Sequence, residues 1–364
     1  MPPRSSPSLL PHYLVILYGL AIAYASLQPF SPWITPPPGA PFFLFAPWPP
    51  RWTRFDVIVN AVAYAPFGFF VALVPRRRPP LGRLSVAVAA GAAMSFAMET
   101  LQMFVPPRDA SVIDLISNTA GAAIGGLAAV ALARSRARHG VRSFRERWFV
   151  PGRLGDLGLA LLAIWLAVQV NPGIPLFAIV FDPSPEFGAA VNAPLAAGTT
   201  DHAAALVEGA HSAFQLLGVG LFLSLLLRER RLVGGAVVLL IGAALAAKGI
   251  AAAILLKPDA WEHWLSPGVS TGVAAGALLL LTMIWLPRPV QVAVATIALL
   301  SSLLTTLLAP DLLFARAPLS LFAWSYGHLL HFNGLTHFVL LCWPLVATAY
   351  LFALAGSRNW GRAE

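Results

Sequence analysis

A chain of 364 residues in which 58% are hydrophobic and only 11% are charged does not have the composition of a soluble globular protein, because soluble domains carry about 25% charged residues. A formal net charge of +9 would suggest a nucleic-acid partner for a soluble protein, but here the basic residues fall on alternate loops, where they set membrane orientation. The composition therefore predicts a membrane protein with no nucleic-acid partner.

Apolar windows of roughly 20 residues, the length that crosses a hydrocarbon core about 30 Å thick, recur along the whole chain. They predict an all-α polytopic membrane protein with about ten transmembrane helices and short loops. The windows cover about residues 12–30, 55–74, 84–104, 113–133, 155–171, 206–227, 233–256, 268–286, 290–309 and 335–355.

The distribution of arginine predicts the orientation of these helices. Seven arginines lie between Arg134 and Arg153, and further arginines occupy every second loop, whereas the opposite loops contain few. Because cytoplasmic loops carry the excess of Lys and Arg, we predict a multi-pass membrane protein with both termini in the cytoplasm. The 134–153 arginines are interpreted as an ordinary cytoplasmic loop, and binding of anionic lipid is the alternative.

The second half of the sequence repeats landmarks of the first half at a nearly constant offset. Four landmarks recur 150 or 151 residues later: Gly68 as Gly218, Arg78 as Arg228, Pro107 as Pro258 and Gly121 as Gly272. A repeat of four spans gives both copies the same orientation in the membrane. We therefore predict a parallel internal duplication of a four-helix module, followed by two C-terminal helices.

This duplication predicts an organisation in four parts. Residues 1–135 form the first four-helix module, 136–153 a basic cytoplasmic loop, 154–287 a degenerate second module, and 288–364 two C-terminal transmembrane helices with a cytoplasmic tail. The acidic residues of the first module have apolar or small counterparts in the second. Any chemistry is therefore expected in the first module.

Polar residues interrupt the first module at the ends of three consecutive spans, where placing them in a membrane is costly. Pairs spaced three or four residues apart share a helix face, and alternating topology predicts that all of them lie on the extracytoplasmic side. The residues are Asp56, Asn60, Glu99, Gln102, Arg108, Asp114 and Asn118. The pattern predicts a ligand-binding site formed by these side chains, and it identifies no catalytic residue.

Two interpretations of this polar cluster stay open. A structural ion-pair network would satisfy its own charges and hold three helices in register. A binding pocket would instead use the amides for sugar hydroxyls or peptide amides, the carboxylates for an amine, and Arg54 and Arg108 for anionic groups. We prefer the pocket, with membrane lipids or a lipid-linked envelope precursor as the partner.

The spacing of these residues resembles that of the VanZ-like membrane proteins over roughly residues 12–133. The matching positions run Asp56-x3-Asn60-x5-Pro66-Phe67-Gly68-Phe69, then Glu99-x2-Gln102, then Arg108-x2-Ser111-x2-Asp114-x3-Asn118-x2-Gly121-x3-Gly125. The resemblance implies a four-span module, which in some members is associated with resistance to the glycopeptide teicoplanin. It implies a fold more than a reaction, and it implies that the protein lies in a bacterial cytoplasmic (inner) membrane.

Outside the cluster the sequence gives weaker signals. His328 and His331 could share a helix face, but no Cys or nearby carboxylate completes a metal-site motif, so no metal is expected. Glu208 and His211 are the best candidates for a proton-coupled role. No Walker loop, dinucleotide-binding loop or zinc-protease helix motif occurs, so we expect no cofactor.

These observations favour a membrane protein that binds a polar headgroup of a cell-envelope component at the extracytoplasmic side. The first alternative is a transporter or lipid flippase, in which the two copies would be moving halves. The second alternative is an intramembrane enzyme acting on a lipid-linked substrate, for which Glu99 and Asp114 would be the acid–base pair. The sequence favours a binding protein over an enzyme.

Overall fold

The computed structural model describes residues 8–28, 30–47, 52–105, 108–135, 137–171, 199–258, 265–308 and 326–357. Apart from one isolated bridge between Phe149 and Leu227, these residues form helices and their connections. In chain order the helices are α1 Leu10–Leu27, α2 Arg54–Leu73, α3 Pro80–Gln102, α4 Val112–Arg134, α5 Ala137–Trp148, α6 Gly152–Val168, α7 Thr199–Leu226, α8 Val233–Leu255, α9 Pro267–Met283, α10 Arg288–Leu308 and α11 Tyr326–Ala355.

The helices confirm the prediction of an all-α polytopic membrane protein. Eight helices of the described part are long and apolar enough to cross a membrane, and each of the ten predicted windows falls on a helix. The helices α6 and α9 are shorter, with 17 residues each. The basic helix α5 was not predicted, because the sequence of 136–153 was interpreted as a loop.

The chain divides into two compact units, Met1–Arg145 and Glu146–Glu364. The boundary falls within the segment predicted to be a basic loop, and the finer division into four parts stays a prediction. Unit 1 contains α1 to α4. Its apolar core includes Ile22, Tyr64, Phe67 and Val71.

The tightest helix pair of unit 1 consists of α2 and α4, whose backbones touch at glycines. A Cβ atom placed on Gly121 would lie 2.1 Å from the carbonyl oxygen of Ala61, and one on Gly125 would lie 1.8 Å from that of Ala65. Both distances are far below van der Waals contact. Small residues four apart on α4 therefore allow the close approach that membrane helices use for packing. This approach fixes the position of the polar ends of both helices.

In unit 2 the most buried helix is α7, which packs against α9 and α10. Its pairing with α9 is again made by small residues. A Cβ atom on Gly272 would lie 2.1 Å from the carbonyl oxygen of Gly209, and one on Gly268 would lie 2.6 Å from that of Ala205. The α7–α9 pair thus has the same kind of backbone contact as the α2–α4 pair, at the glycine that the sequence repeat aligned with Gly121. The duplication of a whole four-helix module stays a prediction.

Candidate functional site

All seven predicted site residues lie at one end of unit 1, where α1 and α3 end and α2 and α4 begin. Hydrogen bonds join these four helix ends to one another. Gln102 near the end of α3 donates to the carbonyl oxygen of Ser26 in α1 at 2.9 Å, and Asn60 of α2 donates to Asp114 of α4 at 2.7 Å. The structure therefore brings together residues that are up to 62 positions apart in the sequence, from Asp56 to Asn118.

Asp56 caps the beginning of α2. Its Oδ2 accepts from the backbone N–H of Thr53 at 2.9 Å, while its own N–H donates to the Thr53 hydroxyl at 3.2 Å. This reciprocal pair satisfies two donors that a helix start leaves unpaired. Asp56 therefore has a structural role at the edge of the cluster, and Arg54 beside it is exposed.

Glu99 lies in the last turn of α3 and is only 3% exposed. Its Oε2 accepts from the backbone N–H of Ser111 at 2.9 Å. The Ser111 hydroxyl in turn caps α4 by accepting from the N–H of Ile113 at 3.1 Å. Glu99 thus joins the end of α3 to the start of α4, and its carboxylate lies close enough to that of Asp114 for the two charges to repel.

Arg108 attaches the loop between α3 and α4 to the end of α1. Its Nε donates to the carbonyl oxygen of Gln28 at 3.2 Å, and its Nη2 donates to the carbonyl oxygen of Ala25. Burial lowers the pKa of the Arg108 guanidinium from its ordinary value, and the nearby Glu99 carboxylate acts in the opposite direction. Arg108 was predicted to face an anionic group. Two of its N–H donors instead form hydrogen bonds to backbone carbonyl oxygens of α1.

Asn118 lies one turn deeper than Asp114 and connects α4 to α3. Its Nδ2 donates to the hydroxyl of Ser95 at 3.0 Å, whereas its Oδ1 is buried with no hydrogen-bond partner in the described part of the chain. The hydroxyl of Tyr64 is also buried beside Ser95 without a hydrogen bond of normal geometry there. A buried polar atom without a partner is uncommon and calls for an explanation.

Five side chains therefore meet inside the bundle end, and we name them the inner polar group: Tyr64, Ser95, Glu99, Asp114 and Asn118. The sequence did not single out Tyr64 and Ser95 as site residues. The sequence spacing nevertheless indicates that both belong to the cluster, since Tyr64 is four residues after Asn60 and Ser95 is four residues before Glu99. Residues four apart share a helix face.

Hydrogen-bond acceptors dominate the inner polar group. The group contains two carboxylates and the Oδ1 of Asn118, which has no partner among the described residues. The guanidinium of Arg108, which attracts Glu99, donates its hydrogen bonds to α1. Such an arrangement recognises a donor or a cation better than an anion. Within the residues that the structure describes, no group of three or more His, Cys, Asp or Glu could hold a metal ion. The side chains of His328 and His331 lie outside the described part.

Replacing Arg108 with alanine is expected to loosen the end of α1, because two hydrogen bonds of a charged group are lost. Such bonds contribute about 1.5–3 kcal/mol, so opening should become about tenfold more frequent. The measurement is the rate of maleimide labelling of an Ala25→Cys variant in a Cys342→Ala background. Arg54→Ala, at an exposed position, is the control. Equal labelling rates in both variants would show that the contact does not hold α1.

Comparison with family models gives a match in the first part of the chain. A family model described as VanZ/LLP1 matches residues 12–133, which include most of α1, all of α2 and α3, and α4 up to its last residue. All seven predicted site residues and the whole inner polar group lie within this range. No curated protein and no solved structure matches the chain.

Proposed function

Residues 12–133 are a VanZ-like membrane domain of the VanZ/LLP1 family, and from this premise we propose that the domain binds the polar headgroup of a cell-envelope lipid. The headgroup is one that carries a hydrogen-bond-donating cation, such as a primary amine. It would bind against the inner polar group at the extracytoplasmic side. The ligand is a membrane lipid or a lipid-linked envelope precursor.

The observation that carries this proposal is the buried Oδ1 of Asn118, which has no partner among the described residues, in a side chain that contacts Ser95 of the inner polar group. Leaving such an acceptor unpaired costs about 1–3 kcal/mol. Burying the Glu99 carboxylate also costs free energy, which the nearby Arg108 guanidinium offsets only in part. A bound ammonium group would supply the missing donor to Asn118 and a further positive charge beside the carboxylate of Glu99.

The arrangement of the surrounding residues supports a headgroup in preference to a soluble ligand. The inner polar group lies near the ends of four apolar helices, which is the depth at which lipid headgroups meet the protein. Gln102 and Arg108 bind the end of α1 across this region. The orientation predicted from the arginines puts this end on the extracytoplasmic face.

The proposal is tested by native mass spectrometry of the full-length protein with two lipids that differ at one atom group. Phosphatidylethanolamine carries a free amine, and its N-acetylated form has the same phosphate without the cation. We expect the free-amine lipid to be retained about tenfold more, the ratio that one charge-assisted hydrogen bond provides. Equal retention of both lipids, or preference for the acetylated form, would contradict the proposal.

A second pair of ligands tests whether the amine belongs to a membrane phospholipid or to a lipid-linked envelope precursor. A polyprenyl-linked muropeptide precursor is compared before and after acetylation of its free peptide amine. Stronger retention of this precursor than of phosphatidylethanolamine would identify the lipid-linked class. The association of some VanZ-like proteins with teicoplanin resistance fits that class, and for this chain it stays a prediction.

A further inference from the structure

The basic segment between α4 and α6 forms a helix, α5, that has an apolar face. Val141, Phe144 and Trp148 are spaced three and four residues apart, so they share one face of this helix. Trp148 packs against the apolar core of unit 2, whereas Val141 and Phe144 are 60% and 46% exposed. The earlier turns of the face therefore present large apolar side chains that the protein does not fully cover.

Arginines accompany this apolar face. Residues 134–153 contain seven arginines and one acidic residue, Glu146, and the side chains of Arg134 and Arg147 are exposed. An ordinary cytoplasmic loop needs the arginines but not the apolar face. A helix with aromatic and aliphatic residues on one face and arginines beside it is typical of segments that lie on a membrane surface.

The beginning of α5 lies close to the end of a membrane helix. Helix α4 is long and apolar enough to cross a membrane and ends at Arg134, and α5 begins at Ala137. Three peptide steps cover at most about 10 Å. The attraction of an anionic membrane surface for basic residues reaches over a similar distance. The first turn of α5 is therefore within the range of that attraction.

The end of α5 is held at the end of another membrane helix, α7, which ends at Leu226. The backbone N–H of Arg228 donates to the carbonyl oxygen of Trp148 at 3.0 Å, and that of Val150 donates to the carbonyl oxygen of Leu226 at 2.8 Å. The Arg228 guanidinium also donates to the carbonyl oxygen of Glu146 at 2.9 Å. These bonds keep the last turn of α5 level with the end of α7.

The same end of unit 2 contains residue types that are common at a membrane surface. Arg230, between α7 and α8, donates to the carbonyl oxygen of Trp285 at 3.1 Å, and Trp285 is 67% exposed. Tryptophan is enriched where the hydrocarbon core meets the headgroups, and arginine is enriched in the loops on the cytoplasmic side. The last turn of α5 therefore lies at a boundary of this kind.

From these observations we infer that α5 is an interfacial helix that binds anionic phospholipids of the adjacent membrane leaflet. Val141 and Phe144 enter the boundary between headgroups and acyl chains, and the arginines bind the lipid phosphates, whose oxygens suit the paired donors of a guanidinium. A lipid is favoured over a protein partner because the chain holds α5 beside the ends of membrane helices. The helix lies outside residues 12–133, so the inference does not depend on the function proposed there.

Spin-label accessibility in the full-length protein tests this inference. The label is attached to Val141→Cys or to Ser143→Cys, each in a Cys342→Ala background, because Cys342 is the single cysteine. Ser143 is two residues after Val141 and therefore lies on the other side of the helix. The protein is reconstituted into vesicles of phosphatidylcholine with phosphatidylglycerol, or of phosphatidylcholine alone. Relaxation of the label by oxygen is compared with relaxation by a water-soluble nickel complex.

In vesicles that contain phosphatidylglycerol, we expect the label of Val141→Cys to be accessible to oxygen and shielded from nickel, and that of Ser143→Cys to be accessible to nickel. In phosphatidylcholine alone, the label of Val141→Cys should also become accessible to nickel. Equal nickel access at both positions with phosphatidylglycerol would overturn the inference. Equal shielding of Val141→Cys in both lipid mixtures would also overturn it, because the face would then be covered by protein or by neutral lipid.

Arg147→Gln tests whether arginine supplies the attraction. With phosphatidylglycerol present, this substitution should lower the ratio of nickel-shielded to nickel-accessible label at Val141→Cys about fivefold, the effect of one basic residue near an anionic surface. Arg77→Gln, at an exposed arginine between α2 and α3, is the matched control and should leave the ratio unchanged. Equal decreases in both variants, or no decrease in Arg147→Gln, would contradict a role of α5 in binding anionic lipid.

Discussion

Replacing Glu99 with glutamine should reduce the retention of phosphatidylethanolamine about tenfold, since the ligand loses a charge-assisted hydrogen bond. The same substitution should not lower the thermal stability. Glutamine keeps an oxygen that can accept from the N–H of Ser111, the contact that Glu99 makes at 2.9 Å. It also removes the repulsion between the carboxylates of Glu99 and Asp114. Native mass spectrometry and a thermal melt in one detergent measure the two effects.

The combination of effects separates the two interpretations of the cluster. If neutralising Glu99 weakens lipid binding while thermal stability is kept or rises, then Glu99 acts on a ligand. Functional sites commonly lower the stability of the protein that carries them. Glu229→Gln is the control, because this carboxylate is exposed and belongs to unit 2. If Glu99→Gln leaves lipid retention unchanged and lowers the melting temperature, Glu99 belongs to a structural network.

Replacing Gly125 with alanine should have the largest effect on the stability of unit 1. The new Cβ atom would lie 1.8 Å from the carbonyl oxygen of Ala65, so α2 and α4 would have to separate. Overpacking costs about 1–3 kcal/mol and sometimes more, and at a rigid backbone contact we expect about 3 kcal/mol. The measurement is the loss of folded protein during a detergent melt of the full-length chain.

A matched control for this prediction is available in the same unit. Gly19 of α1 is also a helical glycine, but a Cβ atom there would lie 3.5 Å from the nearest atom, in the Phe67 ring, which is an ordinary contact. Gly19→Ala should therefore leave stability unchanged or raise it by up to about 1 kcal/mol, because alanine favours the helix. Equal losses in both variants would mean that the α2–α4 contact is not the cause.

The sequence predicted the membrane helices and the meeting of the polar residues with good accuracy. Apolar windows define spans directly because the bilayer requires about 20 apolar residues for each helix. Alternating topology then puts the end of one span beside the beginning of the next, so Glu99 and Asp114 had to lie at the same end of the module. Gly121 and Gly125, four residues apart, indicate a helix face that allows close packing, but that α2 is the partner is known only from the structure.

The partners of each polar residue were not predictable in the same way. Periodicity gives the face on which a side chain lies, but the partner depends on the rotation and spacing of packed helices. Asp56 turned out to cap its own helix, and Arg108 donates to carbonyls of α1. Tyr64 and Ser95 were missed because neither residue type is unusual in a membrane helix.

The expectation that any chemistry belongs to the first module stays a prediction, although unit 2 also contains buried polar side chains. Comparing the copies by their glycines and prolines aligned the acidic residues of unit 1 with apolar residues of unit 2, and Glu208 was considered only as an isolated pair with His211. The structure adds Gln215, Ser266 and Thr305 to that pair. Helix α10, which carries Ser302 and Thr305, lies outside the predicted repeat, so no comparison of the copies could include it.

The most direct test of the headgroup site is a distance measured by solid-state NMR between the ligand and Glu99. The full-length protein is reconstituted with ¹³C-labelled glutamate and with phosphatidylethanolamine whose amine carries ¹⁵N, and Glu99→Gln identifies the signal of the Glu99 carboxyl carbon. We predict a dipolar coupling that corresponds to about 4 Å, the separation of an ion pair, and its loss in Glu99→Gln. A Glu99 carboxyl signal with no coupling to the amine, under saturating lipid, would contradict the account.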